Sequence, residues 1–124
     1  AGSCDDNGTK ACIAKEFKEH GYLCDTHTAV AVSVYEDYAE RSDDSTPTVI
    51  ASTANPFKFS KAVLDAVHPG MTDNLDEFEM VHALHDETGE ICPPQLANLK
   101  GKTPRFTGCC KKEDMEQVVF DLLK

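Results

Sequence analysis

The sequence contains no apolar run that approaches the length of a membrane-spanning helix, so no integral membrane protein is expected. Basic residues are scarce: 12 Lys and Arg stand against 22 Asp and Glu, and the formal net charge is −10. Because such a field repels nucleic acid and anionic membrane surfaces, we expect neither as a partner. The polar start, AGSCDDNGTK, does not resemble a secretory signal peptide, and we therefore expect a cytoplasmic protein.

The sequence also lacks a CxxC pair, the usual mark of a zinc knuckle. Its six cysteines lie at positions 4, 12, 24, 92, 109 and 110. The even number is compatible with a disulfide framework, but in a cytoplasmic chain reduced thiols are the better interpretation. Structural zinc is the alternative, and because tetrahedral sites usually pair their ligands more closely, no metal site is predicted.

The chain has 124 residues, of which 40% are hydrophobic. This length predicts a single domain at most. Helical periodicity and capping residues divide it into short elements. Asp25 is the candidate N-cap of the second helix, Ser60 of the third and Asp73 of the fourth, while Gly21 and Gly89 mark helix ends. The predicted helices cover residues 8–19, 28–39, 60–67, 73–88, a short turn within 93–101, and 113–122.

Two segments are predicted strands: TVIAS, residues 48–52, and PRFTGC, residues 104–109. The predicted fold class is therefore α/β, mostly helices with about two strands of a parallel sheet. The helix over 28–39 is predicted to be buried on most sides, although alternating Val30, Val32 and Val34 keep a short strand open there. Two strands are too few for a sheet that is buried on both faces, and this helix has more apolar surface than the chain can cover. Both observations indicate that the chain is part of something larger.

Polar residues follow the first predicted strand at once. Ser52, Thr53 and Asn55 come directly after it, ahead of Pro56. In open α/β sheets, ligands bind in the crevice at the carboxyl ends of the strands. The loop that begins at Ser52 is therefore a candidate binding site, although Ser and Thr in such loops also bond their own backbone routinely.

Two histidine-containing segments are further candidates. Asp25 and His27, within CDTHTAV, are placed to orient a substrate or a ligand-facing loop, but a helix cap is the simpler role for Asp25. His82 and His85 stand three apart on a predicted helix. Without a third fixed ligand, that pair indicates a polar helix face rather than a metal site.

Three blocks of the sequence resemble threonine synthases. STANPFKFSKAV, residues 52–63, is similar to that family's STA-x-P-x-KF-x-x-AV segment, and GYLCDTHTAVAVSVY, residues 21–35, to its GY-x-x-DPHTAVA segment. The tail from Ile91 to Val119 looks like the end of the same enzymes. Thr26 stands where the family usually has Pro, which loosens a turn, and Asn55 where many members have His.

The resemblance implies a fold-type-II enzyme that uses pyridoxal phosphate. Such an enzyme converts O-phosphohomoserine and water to L-threonine and phosphate, with the cofactor as electron sink. The chain would be the C-terminal portion, a single piece over 1–124 that needs the missing N-terminal part of the same enzyme. Residues 1–70 would then belong to the cofactor domain and 71–124 to a helix–strand–helix extension.

The resemblance also implies site residues. Thr53 matches the position whose hydroxyl faces the pyridine nitrogen of the cofactor, and Ser52 lies beside it; both are predicted cofactor-binding residues. The family's Schiff-base lysine lies in an SFKD-like segment that does not occur here, and Lys58 and Lys61 are not in that context. A Gly- and Asn-rich phosphate cup is absent too, so no catalytic residue is assigned and the chain alone is expected to bind no cofactor and to be inactive.

An autonomous acidic binding module derived from the same fold is the alternative function. A self-sufficient module should carry polar residues on the outward face of the helix over 28–39, and TAVAVSV has kept apolar ones there. This helix therefore favours the enzyme fragment. Its exposed apolar face also leads us to expect that the chain associates with itself.

Overall fold

The computed structural model describes all residues, 1–124, and its regular structure consists of helices. The longest, α1 and α2, have 15 and 16 residues, and no helix combines the length and hydropathy that a membrane crossing requires. In chain order the elements are α1 (Asp6–His20), α2 (Thr26–Arg41), a 3₁₀ turn (Pro56–Phe59) that runs into α3 (Ser60–Val67), α4 (Glu77–Thr88), α5 (Pro94–Ala97), a second 3₁₀ turn (Lys112–Asp114) and α6 (Met115–Leu122).

The predicted α/β fold is wrong, because the structure contains no strand. Residues 48–52 and 104–109 lack regular secondary structure. A strand is stabilised by backbone hydrogen bonds to a neighbouring strand, and neither segment has such a neighbour within this chain. Their apolar side chains are consequently in solvent: Val49 is 93% exposed and Phe106 is 72% exposed.

Helix ends follow local chemistry. The predicted N-cap Asp25 is confirmed, and Gly21 and Gly89 end α1 and α4 in the left-handed conformation, with φ of 64° and 72°. The prediction that Asp73 opens α4 is wrong. Asp76 caps that helix, because Glu79 three residues later bonds back to the Asp76 backbone and completes a capping box.

The turn before α3 is capped differently from the prediction. Ser60 is not an N-cap; its hydroxyl donates to the carbonyl of Phe57 at 2.8 Å. Asn55 takes the capping role one element earlier, since its side chain accepts from the Phe57 N–H at 3.0 Å at the start of the 3₁₀ turn. The loop that follows Ser52 is therefore closed by a side-chain cap.

The core lies among α1, α2, α3 and α4. Ile13, Val63, Leu64 and Leu84 have no exposed surface. Helix α2 contributes only Ala29 to the buried apolar set, so the prediction that this helix is buried on most sides is wrong. One face packs on α1, and Val30, Val32 and Val34 further along the helix are half-buried.

The chain exposes more surface than a compact protein of its mass. Its accessible surface is 9301 Å², whereas a folded monomer of 13.6 kDa exposes roughly 6,600 Å². Every residue from Ala97 to Lys124 is exposed, including the apolar side chains of α6. The excess surface indicates that faces of this chain are suited to packing against other protein.

Candidate functional site

The two central motif blocks meet in the structure. The CDTHTAV segment forms the start of α2, and the loop from Ser52 to Asn55 lies against it. The hydroxyl oxygens of Thr28 and Ser52 are 3.1 Å apart, and the His27 and Phe59 ring centroids are 5.0 Å apart. Segments that are 24 or more residues apart in sequence therefore form one polar site.

The Asp25 carboxylate is the centre of this site, and it has no exposed surface. Its Oδ1 accepts from the backbone N–H of His27 at 2.9 Å and of Thr28 at 3.4 Å, and lies 3.3 Å from His27 Nδ1. Its Oδ2 accepts from the Thr28 hydroxyl. The Asp25 side chain thus caps α2 and is connected to the neighbouring loop through the Thr28 hydroxyl.

Opposing effects set the protonation of Asp25. Burial by itself raises the pKa of the carboxyl, because a charge is poorly solvated in the interior. Hydrogen bonds from the Thr28 hydroxyl and from the backbone of His27 and Thr28 favour the ionised form and together outweigh burial. The pKa of Asp25 is therefore held below its ordinary value, and the group is a carboxylate at neutral pH.

Ser52 and Thr53 differ in how they are held. The Ser52 hydroxyl is tied to Thr28, whereas the Thr53 side chain is exposed and makes no hydrogen bond within the chain. The sequence left open that the Thr53 hydroxyl bonds its own backbone. The structure does not show such a bond. Because Asn55 caps the next turn, Thr53 lies between two residues whose side chains are hydrogen-bonded, while its own hydroxyl has no partner within the chain.

Thr28 is a residue of this polar site that the sequence reasoning did not single out. Its side chain is buried and connects Asp25 to Ser52. The signal was available in the spacing, since a hydroxyl three residues after an aspartate N-cap lies on the same side of the first helical turn. What the spacing could not reveal is that Ser52 lies on its other side.

A shallow groove adjoins the site on the side of His27. It has a volume of about 500 Å³, and its walls come from the chain before α1, from α1 itself, from the start of α2 and from α3. Thr26 and His27 contribute to it together with Thr9 and Lys10 of α1. The Lys10 ammonium is paired with Asp65 at 2.5 Å, so this groove carries little free positive charge.

Comparison with known proteins identifies the family. The family model described as "Threonine synthase, C-terminal" matches residues 28–119, which include Thr28, Ser52 and Thr53. The chain belongs to the threonine synthase C-terminal family. "Threonine synthase-like 1" of Mus musculus is 38% identical over 64 residues, and that of Homo sapiens is 38% identical over 65. Each alignment covers 52% of this chain but only 8% of the relative.

Within this threonine synthase family chain, the remaining polar candidates stay apart from the Asp25 site. Lys58 and Lys61 are both exposed and border a second, largely apolar groove of about 500 Å³ between α3, α4 and α5. A Schiff-base lysine needs a desolvated amine, and neither side chain has one. Both lysines are therefore surface cations in this structure.

The histidine pair and the cysteines form no common centre. His82 and His85 are exposed on α4, where the His85 ring bonds the Glu90 carbonyl at 2.7 Å. No group of three or more His, Cys, Asp or Glu side chains is placed to hold a metal ion. All six cysteines are free, and burial raises the pKa of the Cys24 thiol to about 12.

Proposed function

We propose that this chain is the C-terminal part of a pyridoxal-phosphate enzyme that converts O-phosphohomoserine and water to L-threonine and phosphate. The membership in the threonine synthase C-terminal family carries the proposal. The two segments that resemble the family's motifs meet at Asp25, Thr28 and Ser52, as two parts of one site would, and this supports the proposal.

The residues present fit one side of the cofactor. Thr53 offers an exposed hydroxyl without an intramolecular partner, suited to a hydrogen bond with a pyridine nitrogen. Being neutral, the hydroxyl does not force that nitrogen to be protonated, as a carboxylate would. When bound, the cofactor supplies an electron sink for carbanions, and this chain supplies the orientation of the ring edge through Thr53 and Ser52.

The rest of the cofactor site would come from other protein. No Schiff-base lysine and no phosphate cup occur among residues 1–124, and the aligned region is 8% of the relatives. The large exposed surface suits a chain whose residues 1–70 complete a cofactor domain and whose residues 71–124 form an extension of it. The 124-residue chain by itself should form no threonine.

The first test is the size and activity of the natural protein. An antibody raised against this chain would detect it in lysate of the source cells, and the captured protein would be assayed for phosphate release from O-phosphohomoserine. We expect a band several times heavier than 13.6 kDa and cofactor-dependent release. A 13.6 kDa band without activity would overturn the proposal and favour the acidic binding module.

Variants of the captured protein test the role of Thr53. Loss of one neutral hydrogen bond, worth about 0.5–1.5 kcal/mol, should lower kcat/KM about 2–10-fold in Thr53→Val. Thr53→Ser keeps the hydroxyl and should retain most of the activity. Thr48→Val is the matched control, because the Thr48 hydroxyl bonds only the nearby Thr46 carbonyl. Equal activity of both valine variants would exclude Thr53 from the cofactor site.

A further inference from the structure

Positive charge is concentrated in one segment near the end of this acidic chain, residues 100–112, which we call the basic segment. It holds five of the 12 Lys and Arg residues and no Asp or Glu, although the formal net charge of the chain is −10. Its cations are Lys100, Lys102, Arg105, Lys111 and Lys112. None of them forms an ion pair within the chain. The basic segment therefore presents unpaired positive charge to solvent.

Two adjacent thiols lie within the basic segment. Cys109 and Cys110 are both exposed and free, and Lys111 follows them directly. The next residues, Glu113 and Asp114, are acidic, but residues 100–120 contain five cations and three carboxylates. At an ionic strength of about 0.1 M the Debye length is about 10 Å, so the more distant carboxylates of the chain are largely screened while the nearby cations still act. An anionic reagent is thus attracted to these two thiols.

The chain offers no good partner to resolve a disulfide formed at these thiols. Consecutive Cα atoms across a trans peptide are about 3.8 Å apart, whereas the Cα atoms of a disulfide are usually about 4.4–6.8 Å apart, so Cys109 and Cys110 are poorly suited to bond each other. Burial raises the pKa of the thiols of Cys12, Cys24 and Cys92, which disfavours the thiolate that an attacking cysteine needs. A mixed disulfide with an external thiol should therefore persist.

We propose that Cys109 and Cys110 form an S-thiolation site that takes anionic low-molecular-weight disulfides, such as glutathione disulfide, through the unpaired cations of the basic segment. The cysteine thiolate attacks one sulfur of the reagent and forms a new S–S bond to it. The S–S bond of the reagent breaks, and its second half leaves as a thiolate that takes a proton from water. The cysteine sulfur is oxidised and the leaving half is reduced. This site needs neither a cofactor nor turnover, so it does not rest on the proposed function.

The dependence of the rate on salt tests the attraction of the reagent by charge. The reduced chain is treated with glutathione disulfide, a net anion, and in parallel with cystamine, a cation. Mass spectrometry of the tryptic peptide that contains Cys109 and Cys110 gives the rate of adduct formation. Raising the salt from about 0.1 M to about 1 M shortens the Debye length to about 3 Å. We expect the rate with glutathione disulfide to fall at least about 2-fold and the rate with cystamine to rise.

Lysine variants test whether the basic segment is the source of that attraction. Lys111→Gln removes one cation beside the thiols and should lower the rate with glutathione disulfide about 2-fold at ~0.1 M salt. Lys18→Gln is the matched control, because it removes the same charge from α1, where Lys18 is exposed and forms no ion pair. It should leave the rate unchanged, and equal rates in the two variants would overturn the proposal.

The remaining outcomes decide whether the site exists in the natural protein. A rate with glutathione disulfide that rises with salt, or a disulfide between Cys109 and Cys110 in place of the adduct, would overturn the proposal. So would protection of both thiols in the natural protein captured by the antibody. None of these measurements follows phosphate release, so a natural protein that is thiolated as expected but inactive would refute the proposed function and leave this site standing.

Discussion

The Asp25 network predicts an energetic coupling that a double-mutant cycle can measure. In Asp25→Ala the two backbone N–H groups lose their cap, at a cost of about 1 kcal/mol, and the Thr28 hydroxyl loses a charge-assisted bond worth about 1.5–3 kcal/mol. Part of that loss is recovered, because the Thr28 hydroxyl can rotate and donate to Ser52 at 3.1 Å. We expect a net destabilisation of about 2–3 kcal/mol.

Ser52→Ala removes that second acceptor. Alone it should cost less than about 1 kcal/mol, because Ser52 is exposed and Thr28 keeps its bond to Asp25. In the double variant the buried Thr28 hydroxyl has no partner on either side, and an unsatisfied buried donor costs about 1–3 kcal/mol. The double variant should therefore be less stable than the sum of the single variants by at least ~1 kcal/mol.

Urea unfolding followed by the helical circular dichroism signal would give the four free energies of unfolding. The matched control cycle combines Ser52→Ala with Asp76→Ala, a cap of α4 that makes no contact with Ser52, and it should be additive. If the free energies of the Asp25 and Ser52 variants also add to within about 0.5 kcal/mol, the Thr28 hydroxyl is not shared between these two residues, and the reasoning is refuted.

The same carboxylate predicts how stability depends on pH. Since the pKa of Asp25 is lower in the folded chain than in the unfolded one, its contribution is present above the ordinary aspartate value of about 3.9 and is lost as the pH falls through the folded value. Asp25→Asn cannot ionise, so its free energy of unfolding should fall less steeply in acid. Identical acid slopes for both proteins would contradict the assignment.

Three further predictions concern single sites. Leu84→Ala should cost about 2–5 kcal/mol because Leu84 has no exposed surface, whereas Leu122→Ala, 70% exposed, should stay within ~0.5 kcal/mol in urea unfolding. Thr26→Pro should raise the thermal midpoint through a gain of about 0.4–1 kcal/mol, since Thr26 is the first residue of α2. Cys24, with a pKa of about 12, should resist a thiol reagent at neutral pH while exposed Cys109 reacts; equal rates would contradict its burial.

Local sequence signals were sufficient for most helices and for several of their ends. Asp25, Gly21 and Gly89 act through their own backbone and the adjacent turn, so their roles are readable from neighbouring residues. Ser60 and Asp73 were mispredicted for a related reason. Asn55 caps the turn before α3 in place of Ser60, and Asp76 caps α4 in place of Asp73. Which of two nearby side chains caps a helix depends on which one reaches a free backbone N–H.

The predicted strands failed because a strand is not a local property. TVIAS over 48–52 has the composition of a buried strand, but pairing needs a neighbour at hydrogen-bond distance, and this chain provides none. The predicted burial of α2 was wrong for the same reason, because this chain covers only part of the apolar face of the helix. Composition specified which faces are apolar but not what covers them.

The sequence by itself determined the helices, the acidic charge, the family and the candidate loop at Ser52 and Thr53, because each is carried by residues that are near neighbours in the chain. Only the tertiary structure showed that Thr28 joins Asp25 to Ser52 and that Thr53 is left free. That arrangement depends on how α2 and the loop before α3 pack over a shared core. Contacts between segments about 25 residues apart leave no periodic signal in a single sequence.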